Sequence, residues 1–173
     1  MRTILFSYTI FFLIIIVIFI PTTSIISETG YSTTDLQEAT SRSEVSKILS
    51  AWDSVEEIVY LQYIADYIFL LAGLVGNCAI FALLGKKIEE LGNPVFSRIG
   101  FYLVFFSRGS DALENTLTLI LITFPRNYPS FILSVSPYVP TMKFTFVAIV
   151  YSFMILCLCH FLCLKLQKNN QEI

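Results

Sequence analysis

Apolar residues form four long blocks along the chain, and they do not recur at helical or strand intervals within a polar background. The blocks cover residues 4–20, 58–84, 99–124 and 144–164, and polar segments separate them. A helix needs about 20 mostly apolar residues to cross the hydrocarbon core of a bilayer. The pattern therefore predicts an all-α integral membrane protein with about three transmembrane helices after an N-terminal hydrophobic leader.

The leader has the arrangement of a secretory signal: a short positive start, an apolar run and then small residues. Residues 1–27 are therefore either a signal peptide, cleaved after Ser24 or Ser27, or a retained signal anchor. The apolar run of about 17 residues is slightly long for a signal peptide and slightly short for a comfortable span. Both alternatives stay open, and both place the next segment outside the cytosol.

Residues 28–57 are polar and form the predicted extracellular or lumenal segment. Ser41 and Glu44 have the spacing of a capping box, in which each side chain accepts a hydrogen bond from the backbone near the other residue. Apolar residues follow at helical intervals, at Val45, Ile48, Leu49, Trp52, Val55 and Val59. We expect an amphipathic helix that lies on the lipid headgroups, in preference to a ligand-binding module.

The multi-pass region, predicted for residues 58–173, begins with the second apolar block. Small residues in this block, at Ala72, Gly73 and Gly76, allow another helix to approach closely. Asn77 lies about 13 Å from the lysines that end the block, at a rise of about 1.5 Å per residue. At this depth in the hydrocarbon, its polar side chain needs a partner or water.

The third block, residues 99–124, is interrupted by the charged residues Arg108, Asp111 and Glu114. Three charges near mid-membrane cost roughly 7–10 kcal/mol on an insertion scale, and the flanking apolar residues return about 5–9 kcal/mol. Arg108 and Asp111 are three residues apart, so they can form an ion pair on one helix face and lower this cost. We expect a single spanning helix, with two short interfacial helices joined by a hydrated loop as the alternative.

The segment between the last two blocks, residues 125–143, contains four prolines and predicts an irregular loop that dips into the interface. Basic residues near the span ends then indicate the orientation. One side of the membrane has Lys86, Lys87, Arg98, Lys165 and Lys168, and the other has Arg126 and Lys143. The side richer in lysine and arginine is expected to be cytosolic, which places the C-terminus in the cytosol and the N-terminal segment outside. The secretory route and the plasma membrane are the expected location.

Composition excludes several functional classes. Only 14% of the residues are charged, whereas about a quarter are charged in soluble domains. The net charge of −2 offers no basic face for nucleic acid. The sequence has a single histidine, no glycine-rich phosphate loop and no HExxH motif, so we expect neither an enzyme nor a cofactor. The expected partners are the lipid bilayer and other transmembrane helices.

The four cysteines all lie in apolar blocks, so no disulfide framework is predicted. Cys157, His160 and Cys163 share one helix face, but a single helix cannot supply the tetrahedral ligand set that zinc requires. We therefore expect no metal site. Cys163, the cysteine nearest the cytosolic end, is a candidate for S-acylation, and ordinary packing is the alternative.

Two segments resemble motifs of rhodopsin-like G-protein-coupled receptors. Residues 73–80, Gly-Leu-Val-Gly-Asn-Cys-Ala-Ile, resemble the Gly-Asn-x-x-Ile/Val signature of that family's first helix. Residues 110–113, Ser-Asp-Ala-Leu, resemble the Leu-Ala-x-x-Asp region of its second helix. The resemblance covers roughly residues 58–165. It implies that Asn77 and Asp111 are the family's interior polar pair, with Asp111 at the position that binds a sodium ion in many members.

The chain also departs from the receptor pattern. Arg108 replaces an apolar residue of the second-helix motif, no cysteine precedes the third span, and no Asp-Arg-Tyr ends it. The sequence stops at Ile173, where four more helices would follow in the family. The resemblance therefore implies the N-terminal part of a receptor, truncated and not signalling-competent alone. The alternative is a small multi-pass accessory or structural protein that binds partner helices.

Overall fold

The computed structural model describes residues 1–89 and 95–171, and the regular structure within these ranges is helical throughout. A π-helical segment, Ile15–Phe19, joins the first two helices into one N-terminal helix, Arg2–Ser27, and a 3₁₀ turn, Ser136–Tyr138, precedes the last helix. The helices are α1 (Arg2–Ile14), α2 (Ile20–Ser27), α3 (Thr33–Glu38), α4 (Arg42–Trp52), α5 (Glu56–Glu89), α6 (Val95–Thr123), α7 (Phe131–Val135) and α8 (Val139–Gln171).

Three described helical stretches are long and apolar enough to cross a membrane: Arg2–Ser27, Glu56–Ile88 and Phe131–Gln167. Large apolar side chains on their outer faces are exposed, for example Ile16, Leu71 and Ile155. An exposed apolar surface of this extent is compatible with lipid and not with water. The protein is therefore an all-α membrane protein with transmembrane helices.

The long helices pack in the order N-terminal helix, α5, α6, α8. Neighbours run antiparallel, as cross-helix contacts between α5 and α6 show: Tyr60 meets Thr123, and Tyr67 meets Thr116 seven residues earlier in α6. The N-terminal and C-terminal ends of the chain consequently lie at the same end of the bundle. The segments 28–55 and 124–138 lie at the opposite end.

Helix α6 is not among the apolar stretches because of its charged residues, but it packs between α5 and α8. It is one continuous helix from Val95 to Thr123, so the alternative of a hydrated loop between two short helices is wrong. The face of α6 that carries Arg108, Asp111 and Glu114 is buried against α5 and α8, which explains how α6 stays helical despite its charges. The charges are removed from lipid and supplied with protein partners.

The short helices α3, α4 and α7 form an end cap on the bundle. The predicted capping box of Ser41 and Glu44 is confirmed at the start of α4. Hydrogen bonds from the Thr40 backbone and side chain and from Ser41 lower the pKa of the Glu44 carboxyl. The Glu44 carboxyl of the capping box therefore stays ionised at neutral pH. A second capping box, formed by Ser32 and Asp35, begins α3.

The expectation that α4 lies on the lipid headgroups is wrong. Its apolar side chains Val45, Ile48 and Trp52 are buried in a core shared with the ends of α5 and α6, which includes Val59 and Leu121. The apolar ends of α5 and α6 provide an environment as apolar as lipid, and α5 begins only a few residues after α4 ends. The amphipathic face of α4 therefore covers the end of the bundle where α5 begins and α6 ends.

The predicted irregular loop also needs correction, because α7, the 3₁₀ turn and the first residues of α8 occupy residues 131–143. Pro140 is the second residue of α8. Proline is well tolerated in the first turn of a helix, where its missing N–H has no carbonyl partner in any case. The last helix therefore starts at Val139, and Lys143 belongs to it.

Gly76 of α5 packs closely against the N-terminal helix. A Cβ atom at this position would lie 3.2 Å from the Tyr8 ring and 3.3 Å from the Ser7 Cβ. We expect Gly76→Leu to destabilise the bundle by about 1–3 kcal/mol through overpacking, measured as a lower thermal midpoint in detergent. Gly109→Leu is the matched control, since no atom lies within 4 Å of a Cβ built there. Equal midpoints for the two variants would contradict this packing.

Candidate functional site: a buried polar cluster

Lys143 lies at the centre of a buried group of charged side chains between α6 and α8. Its Nζ atom is 2.6 Å from Oδ1 of Asp111 and 3.2 Å from Oε1 of Glu114. Both carboxyl side chains are 4% exposed. Asp111 and Glu114 are three residues apart in α6 and therefore share the face that meets α8. One ammonium group thus bridges two buried carboxylates.

Arg108 extends the cluster by one helical turn. Its Nη1 atom lies 3.7 Å from Oδ2 of Asp111, and its side chain is 11% exposed. The guanidinium passes over Gly73 of α5, where a Cβ atom would lie 2.8 Å from Nη2. Gly73 consequently makes room for a charged side chain and not for a neighbouring backbone.

Two amide side chains connect further elements to the cluster. Asn115 Nδ2 donates a 2.6 Å hydrogen bond to Oδ2 of Asp66 on α5. Gln37 Nε2, on α3, donates a 2.8 Å hydrogen bond to Oε1 of Glu114. The end cap is therefore tied directly to the buried acids of α6.

A cavity of about 500 Å³ adjoins these side chains. The N-terminal helix and α8 lie on either side of it, α5 and α6 form its floor, and α3 lies at the end nearest the end cap. Asp66, which lines it, is ten residues from the start of α5, so it lies about 15 Å along that helix. The cavity therefore extends from the end cap into the adjoining half of the bundle.

Two acceptor atoms of lining residues, Oε2 of Glu114 and Oε1 of Gln62, have no hydrogen-bond partner within the described residues, and the hydroxyl of the lining residue Tyr63, which can donate or accept, has none either. Glu114 is 4% exposed and Gln62 is 9% exposed. An unpaired buried acceptor costs about 1–3 kcal/mol, and more when it is charged. Both atoms therefore favour a site that a hydrogen-bond donor can occupy.

Asn77 and Asp111 have different polar partners in the structure. Tyr8 of the N-terminal helix donates a 2.7 Å hydrogen bond from its hydroxyl to Oδ1 of Asn77, which is 2% exposed. Asp111 contacts Lys143 and Arg108 instead. No hydrogen bond joins Asn77 to Asp111 in the part of the chain that the structure describes.

The residues proposed for helix packing divide between two neighbours. Gly76 and Ala72 face the N-terminal helix, with Ala72 close to Ser7 and Ile10 across a small apolar gap. Gly73 faces Arg108 of α6, as described above. The small residues of α5 therefore serve two contacts on adjacent faces.

The cysteines and the histidine of α8 lie away from the polar cluster. Cys163 is exposed and Cys157 is buried. The His160 ring stacks on Phe96, with 5.1 Å between ring centroids. Within residues 1–89 and 95–171, no group of three or more histidine, cysteine, aspartate or glutamate side chains could hold a metal ion.

Three residues of the cluster and cavity were not predicted as site residues from the sequence: Lys143, Gln37 and Gln62. Lys143 was assigned to an irregular loop that dips into the interface. Gln37 belonged to the polar segment and Gln62 to the second apolar block, and neither pattern indicated a shared site. One signal was present in the sequence: the third apolar block holds two acids and one arginine, so a second cation was needed. Lys143, at the start of the next block, was the nearest candidate.

Comparisons with protein-family models, with curated proteins and with solved structures find no match. Function is therefore inferred from the chain's own residues and their geometry.

Proposed function

We propose that the protein is a non-catalytic, receptor-class membrane protein that binds a small ligand in the cavity between the end cap and the helical bundle. The observation that carries this proposal is the cavity itself, about 500 Å³ in volume and lined by acids and amides. Ligand sites in proteins are typically concave, of about 300–1,000 Å³, and mostly apolar with a few convergent polar groups.

The buried charges support a binding role because they are costly to keep inside a membrane protein. Ionisable residues in membrane helices are rare, and they commonly mark ligand or ion sites. Replacing a buried ion-pair network with packed apolar side chains is often neutral or stabilising, so stability alone does not explain why these charges are present. The unpaired oxygen of Glu114 adds a direct reason to place a ligand here.

The resemblance to rhodopsin-like receptors stays a prediction, as does the interior pair of Asn77 and Asp111 that it implies. The cavity lies near Asp66 and Glu114, which the receptor motifs do not include. The proposal of a ligand site is thus independent of that family. Coupling to a G protein is not part of it.

An accessory protein that binds partner helices is the second candidate, and one observation favours it. The cavity lies in the gap between the N-terminal helix and α8, both of which expose apolar faces to lipid. A side chain from a partner helix would find unpaired acceptors there. Such a partner would close the cavity to water-soluble reagents, which provides the test.

We propose further that the N-terminal helix is retained as a signal anchor, in the secretory route and with both chain ends in the cytosol. Tyr8 supplies the hydrogen-bond partner of buried Asn77, and Phe11 stacks on Phe69 at 3.9 Å between ring centroids. Cleavage would leave Asn77 without that partner in the hydrocarbon, which is unfavourable.

Intact-mass measurement tests this retention. We expect the purified protein to keep the N-terminal helix and to show a mass that includes residue 2. Removal of a signal peptide at Ser24 or Ser27 would lower the mass by about 2.5–3 kDa. A mature chain that begins near residue 25 or 28 would contradict the four-helix arrangement in the membrane.

Access of water to the cavity tests the ligand-binding function. Gln62→Cys is placed in a chain whose native cysteines are replaced, and the protein is reconstituted in lipid nanodiscs. We expect modification by a cationic or an anionic membrane-impermeant methanethiosulfonate, read by mass spectrometry. Val104→Cys, at a fully buried helix contact, is the control and should stay unmodified. If neither reagent modifies Gln62→Cys, the cavity is closed and the ligand-binding proposal fails.

A further inference from the structure

The groups around the cavity differ in how far their hydrogen-bonding capacity is already used. Three nitrogen donors are directed at acids: Lys143 contacts Glu114 and Asp111, Gln37 donates to Glu114, and Asn115 donates to Asp66. Two acceptors, Oε2 of Glu114 and Oε1 of Gln62, have no hydrogen-bond partner in the described chain, and neither has the Tyr63 hydroxyl, which can donate or accept. A ligand that supplies N–H or O–H donors satisfies both acceptors, and the Tyr63 hydroxyl can accept from it as well.

The charge of the lining points to the same chemistry. Three acids line the cavity, Asp66, Glu114 and Glu38, whereas Lys143 is the one lysine or arginine among the described lining residues. Lys143 also neutralises Asp111 from the other side. Among the lining residues alone, the three ionised acids outnumber the one base by two. A low-dielectric cavity with excess negative charge favours a cation and disfavours an anion.

The remaining wall of the cavity is aromatic and aliphatic. Phe19 of the N-terminal helix, Phe69 of α5 and Phe144 of α8 line it together with Ile15 and Pro140. Phe19 and Phe69 contact each other edge to face, with 5.5 Å between centroids. Aromatic faces attract organic cations and also bind apolar groups. An entirely polar ligand would leave this wall unused.

Size separates an organic cation from a bare metal ion or a proton. A volume of about 500 Å³ is far larger than one ion requires, and it is in the range of cavities that hold small organic ligands. The described side chains also offer no cluster that could hold a metal. The polar and apolar walls face one shared space, so one molecule can contact both.

We propose that this cavity binds a small amphiphilic organic cation, an amine with an aromatic or aliphatic body. The ammonium group donates to Oε2 of Glu114 and Oε1 of Gln62, close to Asp66, and the body packs among Phe19, Phe69 and Phe144. This assignment rests on the proposed function, since it names the ligand class of the same cavity.

The test uses three probes of similar shape and different charge: 2-phenylethylammonium, the neutral 2-phenylethanol and the anion 3-phenylpropionate. Binding to the full chain in nanodiscs is measured by calorimetry, with empty nanodiscs subtracted. We expect the cation to bind at least tenfold more tightly than the alcohol, and the anion to show no binding. Absence of cation binding at millimolar concentration, or equal binding of cation and alcohol, would overturn the assignment.

Two variants identify the acceptors. Glu114→Gln should weaken binding of the cation at least tenfold, and Gln62→Leu should weaken it severalfold. Glu57→Gln changes an exposed acid on the same helix as Gln62, outside the cavity, and should bind like the parent. Each variant is first required to give the parent's elution volume and thermal midpoint. A folded Glu114→Gln protein with unchanged affinity would rule out this residue as the anchor.

The thiol-access experiment tests the ligand-binding function, and the probe experiment tests the cationic ligand class, so the two proposals can be contradicted independently. If Gln62→Cys reacts but none of the three probes distinguishes itself by charge, the cavity remains a binding site and the cationic ligand is wrong. If Gln62→Cys does not react and the cation does not bind, the ligand-binding function falls as well. If Glu114→Gln does not fold, Gln62→Leu decides the question: unchanged affinity for the cation in that variant counts against the proposed pose.

Discussion

The Lys143→Met variant should be much less stable than the parent protein. Methionine keeps most of the length of the lysine stem but removes the charge that Asp111 and Glu114 share at 2.6 and 3.2 Å. Removal of one partner from a buried ion pair costs about 3–5 kcal/mol, because the remaining charge stays buried without compensation. Here two carboxylates are affected, so we expect the upper part of that range.

The thermal midpoint and the monodisperse fraction after detergent extraction measure this effect. Lys47→Met is the matched control, because Lys47 is exposed on α4 and lies 5.8 Å from the centroid of the Tyr31 ring, a surface contact worth only about 0.5–1 kcal/mol, so its loss should change both readouts far less. A triple variant, Lys143→Met with Asp111→Asn and Glu114→Gln, removes the charges together and should regain part of the loss. A Lys143→Met protein that melts like the parent would show that the bridge contributes no stability.

The helices of the bundle could be predicted from the sequence because their signal is strong and local. Blocks of about 20 apolar residues specify a spanning helix whatever their neighbours are. The capping box before α4 was equally local and was confirmed. The residues that form the polar cluster come from α3, α5, α6 and α8, and their encounter depends on helix packing. Sequence alone gives the depth of Asp111 but not the identity of the helix that faces it.

The two wrong predictions, for the loop at residues 125–143 and for the position of α4, have a clear physical origin. Four prolines between residues 125 and 143 suggested an irregular loop, although a proline in the first turn of α8 is compatible with the helix. This placed Lys143 outside the membrane helices. The apolar face of α4 was assigned to lipid because an amphipathic pattern does not distinguish lipid from an apolar protein surface. In the structure, the ends of α5 and α6 supply that surface.

The hydrogen-bond partner of Asn77 could not be identified from the sequence. Its depth in the hydrocarbon required a partner, and the receptor resemblance suggested Asp111. The partner in the structure is Tyr8, which belongs to a segment whose removal was one of two alternatives. A signal sequence is identified from its own composition. That composition does not indicate that the Tyr8 hydroxyl donates a hydrogen bond to Asn77 of α5.

The ion pair of Arg108 and Asp111 gives a prediction in which two substitutions should do less damage than one. Asp111→Ala removes the carboxylate between Lys143 and Arg108. Lys143 keeps Glu114 as a partner, but Arg108 loses its nearest anion, and its Nε atom already lacks a hydrogen-bond partner. We expect a loss of about 3–5 kcal/mol, since an uncompensated charge stays largely buried.

Replacing Arg108 and Asp111 together with leucine should be tolerated better than Asp111→Ala. The double variant leaves Lys143 paired with Glu114, one cation with one anion, at 3.2 Å. It also removes two charges from α6 and adds apolar surface, a change of roughly 5–8 kcal/mol in favour of insertion. Membrane yield and thermal midpoint are measured for both variants, and Arg108→Leu and Asp111→Leu complete the double-mutant cycle. If Asp111→Ala accumulates and melts as well as the double variant, Arg108 does not depend on this carboxylate, and the stability of α6 must come from its packing against α5 and α8.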